Sequence, residues 1–119
     1  MNAARLRTLV AGWSGVSEDL KWGCDMVWSV GGKMFCVIGE DSQGGPSFKV
    51  PDADFLAMTD RPGIVPAPYL ARAHWVLLED PKALPDKELR AALRTSYELV
   101  RAKLPKKVQR ELAAAEPAG

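Results

Sequence analysis

Apolar side chains recur near the start of the chain at Leu6, Leu9, Val10 and Trp13, spaced i, i+3, i+4 and i+7. That spacing marks one stripe of an amphipathic helix, with Asn2 as its N-cap and Gly12 or Gly15 as its stop. The period then changes. Residues 25–30 and 33–40 are rich in Val, Ile, Met and aromatic side chains and are joined by Gly31-Gly32. A two-glycine link suits a type I′ hairpin, because both central residues need positive φ. Counting back from that turn predicts Val30 opposite Lys33, Ser29 opposite Met34, Trp28 opposite Phe35, Val27 opposite Cys36 and Met26 opposite Val37. Both hairpin faces are then largely apolar, so one is expected to pack on helices and the other to be partly covered or to form a contact surface. By the same counting Cys24 shares the parity of Trp28 and Cys36 that of Val27. The two thiols are expected on opposite faces and unbridged, which suits a reducing compartment.

Further along, residues 41–46 read as a second turn that feeds a short strand at 47–50. Asp52 or Asp54 can cap a short helix through Thr59. Pro66 and Pro68 make the next stretch irregular, with one helical turn around 69–72. His74–Glu79 reads as a buried strand. Asp86 is the expected cap of the longest helix, whose stripe is Leu89, Leu93, Tyr97, Val100 and Leu104. Pro105 ends or kinks that helix, and a last helical piece runs toward Ala115. Without repeats or a low-complexity linker, residues 1–119 form one α+β domain. Its expected architecture is an antiparallel sheet of about five strands flanked by an N-terminal helix and a long C-terminal helix.

Composition bounds the function more than it defines it. The chain has 119 residues, 47% apolar and 26% charged, which fits one globular core and argues against disorder. Its net charge of +1 gives no global field for a polyanion. The charge is unevenly placed, however: residues 1–60 carry a balance of −3 and residues 61–119 one of +4. The steepest part, Arg101–Arg110, holds five basic residues and no acid, which predicts a local basic patch. No run nears the roughly 20 apolar residues that cross a bilayer, and the first residues lack the longer apolar stretch of a secretory signal. The expectation is a cytoplasmic monomer with no membrane partner and no cofactor.

Candidate chemistry is sparse. His74 is the single histidine, and no spacing supplies it with a carboxylate, thiol or second imidazole, so a structural role at a strand start is the simpler reading. Cys24, Cys36 and His74 do not have metal-ligand spacing. Gly31-Gly32-Lys33 lacks the remaining residues of a phosphate loop and precedes a strand, so it is a hairpin turn. The acidic groups Glu18, Asp19 and Asp25, and Asp52, Asp54 and Asp60, are explained by caps and solvated loops, with paired-carboxylate chemistry as the alternative. Of four tryptophans, Trp13, Trp22, Trp28 and Trp75, the ones expected at a rim where they could stack on a ligand are Trp22 and Trp28. On the last long helix, Lys87, Arg90, Arg94 and Arg101 fall within a sector of about 60°, centred near 90° from the apolar stripe. Such a row can follow a phosphate backbone. It can equally be a solvated flank whose alkyl stems cover the edge of the core.

A set of short motifs carries a family likeness. Val16-Ser17-Glu18 with Lys21-Trp22-Gly23, then Gly32-Lys33-Met34-Phe35, Tyr69-Leu70-Ala71-Arg72-Ala73-His74-Trp75-Val76, Leu84-Pro85-Asp86 and Ser96-Tyr97-Glu98-Leu99-Val100 follow in the order that resembles the MmcQ/YjbR family. The likeness spans roughly residues 3–110. It implies a frataxin-like (CyaY-like) α-β-α arrangement, and a DNA-binding label that rests on likeness to a double-wing architecture; fold alone does not fix function. The position before Ala73-His74-Trp75 is usually lysine in that family and is Arg72 here, which keeps the charge but not a lysine nucleophile. The leading expectation is a non-enzymatic module that binds DNA through Lys33 and Arg72 on the sheet side, the helix row Lys87, Arg90, Arg94 and Arg101, and the run Lys103, Lys106 and Lys107. The alternatives are a protein-interaction domain using an apolar hairpin face with Trp28 and Phe35, and an enzyme or small-ligand binder with a pocket near Trp22, Lys33 and His74.

Overall fold

A computed structural model describes residues 2–23, 25–39, 44–68 and 70–116. The chain runs α1 (Ala3–Leu9), β1 (Val16–Lys21), β2 (Asp25–Val30), β3 (Lys33–Gly39), β4 (Ser47–Lys49), a 3-10 turn at Asp52–Asp54, α2 (Phe55–Thr59), β5 (Ile64–Pro66), a second 3-10 turn at Ala71–Ala73, β6 (Trp75–Leu78), α3 (Asp86–Arg101) and α4 (Lys106–Ala115). Six strands form one antiparallel sheet in the order β1-β2-β3-β4-β6-β5. The α+β class and the flanking helices agree with the sequence, and the sheet has one strand more than expected. Among the described residues no helix is long and apolar enough to cross a membrane.

Both strands that the hydrophobic pattern leaves unassigned are edges. In β1 every residue after Val16 is exposed, so there is no apolar alternation to detect. The other edge, β5, is three residues long and ends in Pro66, a residue that lacks a ladder donor and is confined to such edges.

The hairpin turns at Gly31 and Gly32, with φ of 57° and 82°. A side chain at Gly31 would also strike Leu104, whose Cδ1 lies 2.6 Å from where a Cβ would sit. Register starts as expected, with Val30 opposite Lys33 and Ser29 opposite Met34. A bulge then corrects the rest: Trp28 pairs with Cys36 rather than Phe35, Val27 with Val37 rather than Cys36, and Met26 with Ile38 rather than Val37. Phe35 is the extra residue, and a bulge of this kind moves every later side chain by one place. Cys36 therefore shares the face of Trp28, so the thiol-separation argument loses its basis; Cys24 lies outside the described residues. Cys36 itself is a free, fully buried thiol.

The bulge also explains how α3 is held. The β3–β4 ladder stops at Cys36 and Phe48. Ser96 takes the next backbone groups, donating to the Phe35 carbonyl at 2.7 Å and accepting from the Lys49 amide at 3.0 Å. On this helix-side face Trp28, Cys36, Phe48, Val76 and Leu78 meet Leu89, Leu93 and Tyr97 in the core.

Local signals fared unevenly. The Asn2 side chain accepts from the Arg5 amide at 2.9 Å, as expected of an N-cap, but α1 ends at Leu9, before either candidate glycine. Asp86 is not the cap of α3: Pro85 takes that position, and the Asp86 carboxylate in the first turn pairs with Arg5. Neither Asp52 nor Asp54 makes a side-chain capping bond to α2.

Candidate functional site

The basic row on α3 divides into two pairs. Arg94 is tied to Glu98 through its Nε and Nη2 at 2.8 and 2.7 Å, and its guanidinium lies 4.7 Å from the Tyr97 ring and 5.3 Å from the Trp13 ring. Arg101 is bonded to the Tyr97 hydroxyl at 3.1 Å and to Glu116 of α4, and only 13% of its side chain is exposed. Tyr97 is itself buried and donates to the Ser14 carbonyl at 2.5 Å. The hydrogen bond that Arg101 donates to Glu116 raises the Arg101 pKa, and the same bond lowers that of Glu116. These two arginines fasten α3, α4 and the loop after α1. Lys87 and Arg90 are exposed and have no side-chain partner among the described residues; with Trp13, Ala91 and Arg94 they line a cavity of about 480 Å³.

A second set of cations converges at the turn of the hairpin. Leu104 packs on Gly31, so the basic run after α3 arrives beside the start of β3. Lys33 from β3, Lys49 from β4 and Lys103 from just beyond α3 line one cavity of about 400 Å³, floored by Met34, Leu70, Trp75, Leu99 and Val100. Lys49 Nζ donates to the Ala73 carbonyl at 2.5 Å, which fixes one wall of the cavity. Lys33 and Lys103 are exposed and, among the described residues, their side chains have no partner. Arg72 precedes Ala73 of that wall and is exposed, as are Lys106 and Lys107 at the start of α4. Lys49 was absent from the sequence reading. Its place between buried Phe48 and Val50 was the available signal, since strand alternation sends it to the face opposite theirs.

Beside this cavity lies another of about 380 Å³, lined by Trp22, Asp25, Met34, Val37, Ser47, Pro68 and Leu70. Met34 and Leu70 are common to both, so the two adjoin as halves of one cleft, the lysine-lined half also bounded by Leu99 and Val100 of α3. Trp22, in the turn between β1 and β2, is 67% exposed.

The remaining candidates are structural. Trp28 is not at a rim: it is 1% exposed, and its Nε1 donates to Glu18 at 3.0 Å. Glu18 also accepts from Arg7 at 2.7 and 2.8 Å, and that guanidinium, with Trp28 adding to it, holds the carboxyl below the usual range. Trp28 and Phe35 are both buried, so neither is presented on the hairpin surface as that alternative expected. His74 has the carboxylate partner that sequence spacing failed to supply, since folding brings Asp52 Oδ1 to 2.5 Å from its Nδ1. Its ring also lies 5.1 Å from Phe55, and its backbone is left-handed at φ 60°. His74 thus anchors the start of β6 and lines neither half of the cleft. Among the described residues no group of three or more His, Cys, Asp or Glu side chains could hold a metal.

The YjbR family model matches residues 11–99. The chain belongs to the YjbR family. The domain also resembles the crystal structure of protein DR2400 of Deinococcus radiodurans, described there as domain DUF419, with a TM-score of 0.84 at 25% identity over 98% of this chain and 89% of that one. No curated protein matches the chain. In this YjbR domain Lys33, Lys49, Arg72, Lys87 and Arg90 fall inside the matched span, whereas Lys103, Lys106 and Lys107 lie beyond it.

Proposed function

We propose that this YjbR domain is a non-catalytic binding module that holds the phosphate backbone of a nucleic acid at the hairpin end of the sheet. The observation that carries the reading is the convergence of Lys33, Lys49 and Lys103, from three separate elements, on one apolar-floored cavity. Lys33 and Lys103 are exposed with no side-chain partner among the described residues, whereas Arg94 and Arg101 are engaged by carboxylates and rings inside the protein. Arg72, Lys106 and Lys107 extend the positive surface, and Lys87 and Arg90 supply a second, smaller patch along α3. A net charge of +1 makes this a local electrostatic site.

The test is binding measured against salt. Each phosphate contact contributes a slope of about −0.9 in log K against log salt for duplex DNA, or about −0.7 for single strands. The double variant Lys33→Gln/Lys103→Gln is expected to weaken binding and to flatten that slope by about two contacts, while Lys87→Gln/Arg90→Gln has the smaller effect. Undetectable binding by the unmodified protein near ~50 mM salt would remove nucleic acid as the ligand.

A further inference from the structure

Building on the backbone-binding reading, we infer that the strand held there is single-stranded, with an unpaired base stacked on Trp22 and the following phosphates led along the cleft to Lys33, Lys49 and Lys103. Trp22 gains little from the core, being 67% exposed, and it sits in the left-handed region at φ 53°. That conformation costs a bulky residue stability, so a largely exposed indole is held in a turn where a smaller residue would be less strained. The ring lines the cavity that adjoins the one lined by the lysines, the two sharing Met34 and Leu70. The β1–β2 turn bearing Trp22 and the hairpin turn before Lys33 are separated by the length of β2, whose six residues at about 3.3 Å each span roughly 20 Å. That distance exceeds one nucleotide and suits a short extended strand.

The floor between the two ends is apolar, formed by Met34, Val37, Leu70 and Pro68. A duplex keeps its base faces stacked inside and presents sugar and phosphate outward, so it has nothing to lay on that floor or on the indole. An unpaired strand offers base faces to stack, and aromatic platforms beside a positive groove are how such strands are held. Three cations, Lys33, Lys49 and Lys103, line the cavity at the hairpin end, so phosphates are favoured there.

The experiment uses labelled oligomers of about ten nucleotides, as oligo(dT), as oligo(U), and as a mixed-sequence DNA duplex, each titrated into the full chain at low salt and followed by anisotropy and tryptophan emission. The expected result is single-strand affinity about tenfold above duplex affinity, with quenching of the indole emission. Trp22→Ala is expected to cost about tenfold in single-strand affinity. Trp22→Phe, which keeps a ring, is expected to retain most of the affinity while losing the quench, and it stands in if the alanine variant does not fold. Tighter binding of either sugar supports the inference, and the DNA and RNA arms show which strand fits. Duplex affinity equal to single-strand affinity, or full single-strand affinity in Trp22→Ala, overturns the stacking inference; if Lys33→Gln/Lys103→Gln still weakens binding, the backbone reading survives it. If no polymer binds, both fall together.

Discussion

Arg101 and Lys103 stand two positions apart in the chain and have opposite fates. Arg101 is enclosed by Tyr97 and Glu116, with little of its side chain in solvent. Lys103 is exposed and lines the cavity at the hairpin turn. Chemistry matches setting: a planar guanidinium stacks on rings and bonds carboxylates, while an ammonium is a strongly hydrated point charge on a flexible stem. The second half of α3 uses Arg94 and Arg101 as internal fasteners, and the hairpin end leaves Lys33 and Lys103 to solvent. A row of like charges on a helical wheel is therefore not one functional surface. What each cation meets after folding decides its role.

The fastener side of this contrast breaks hardest at Tyr97. Its ring lies 5.4 Å from Trp13 and 5.5 Å from Phe35, and it also supports both guanidinium groups. Tyr97→Ala is expected to cost about 3–5 kcal/mol in denaturant unfolding, in line with other buried aromatic truncations. A loss below about 1 kcal/mol would mean that the cluster decorates α3 rather than pinning it.

A third setting sharpens the comparison, an ionisable group buried with no counter-charge. Burial alone pushes the Cys36 thiol well above its ordinary range. An acid whose folded pKa is raised stabilises the fold fully below its unfolded value, near 8.5, and loses that stabilisation as pH rises toward the folded value. Stability is thus expected to fall by about 2 kcal/mol between pH 8.5 and 10, and the Cys36→Ala variant should lose much of that slope. An alkaline limb identical in both proteins would show that the thiol is hydrated. Native protein should also leave Cys36 unmodified by a thiol reagent that labels it after unfolding.

How far the sequence discloses these differences depends on the range of the interaction involved. The hairpin turn is legible because two adjacent glycines answer a local demand for positive φ, and α3 is legible because its apolar stripe repeats over sixteen residues. The bulge at Phe35 is not, since counting strand parity assumes that no residue is extra, and the Phe35 carbonyl is satisfied by Ser96, far along the chain. The edge strands are hidden for another reason: β1 buries almost nothing and β5 is too short to alternate. The site was half visible. Lys33 and Lys103 could be named as basic, but that they share a cavity with Lys49 depends on Leu104 meeting Gly31, and that Arg101 is withdrawn from it depends on Glu116 returning along α4.

The smallest stability effects give the most direct test of the contrast, because they separate structure from binding at neighbouring positions. Arg101→Gln removes a largely enclosed charged hydrogen bond and is expected to cost about 1–2 kcal/mol, with the salt dependence of nucleic-acid binding left nearly unchanged. Lys103→Gln changes an exposed side chain and should move stability by no more than about 0.5 kcal/mol. It should also weaken binding and reduce the log–log salt slope by about 0.7 to 0.9, the share of one phosphate contact. Measuring unfolding and binding on the same two proteins therefore predicts a crossover, one variant losing stability and the other affinity. If both lose affinity equally, Arg101 reaches the ligand by leaving Tyr97 and Glu116, and the division of α3 fails. If Arg101→Gln costs nothing in stability, its enclosure carries no energy, and the charge is as available as that of Lys103.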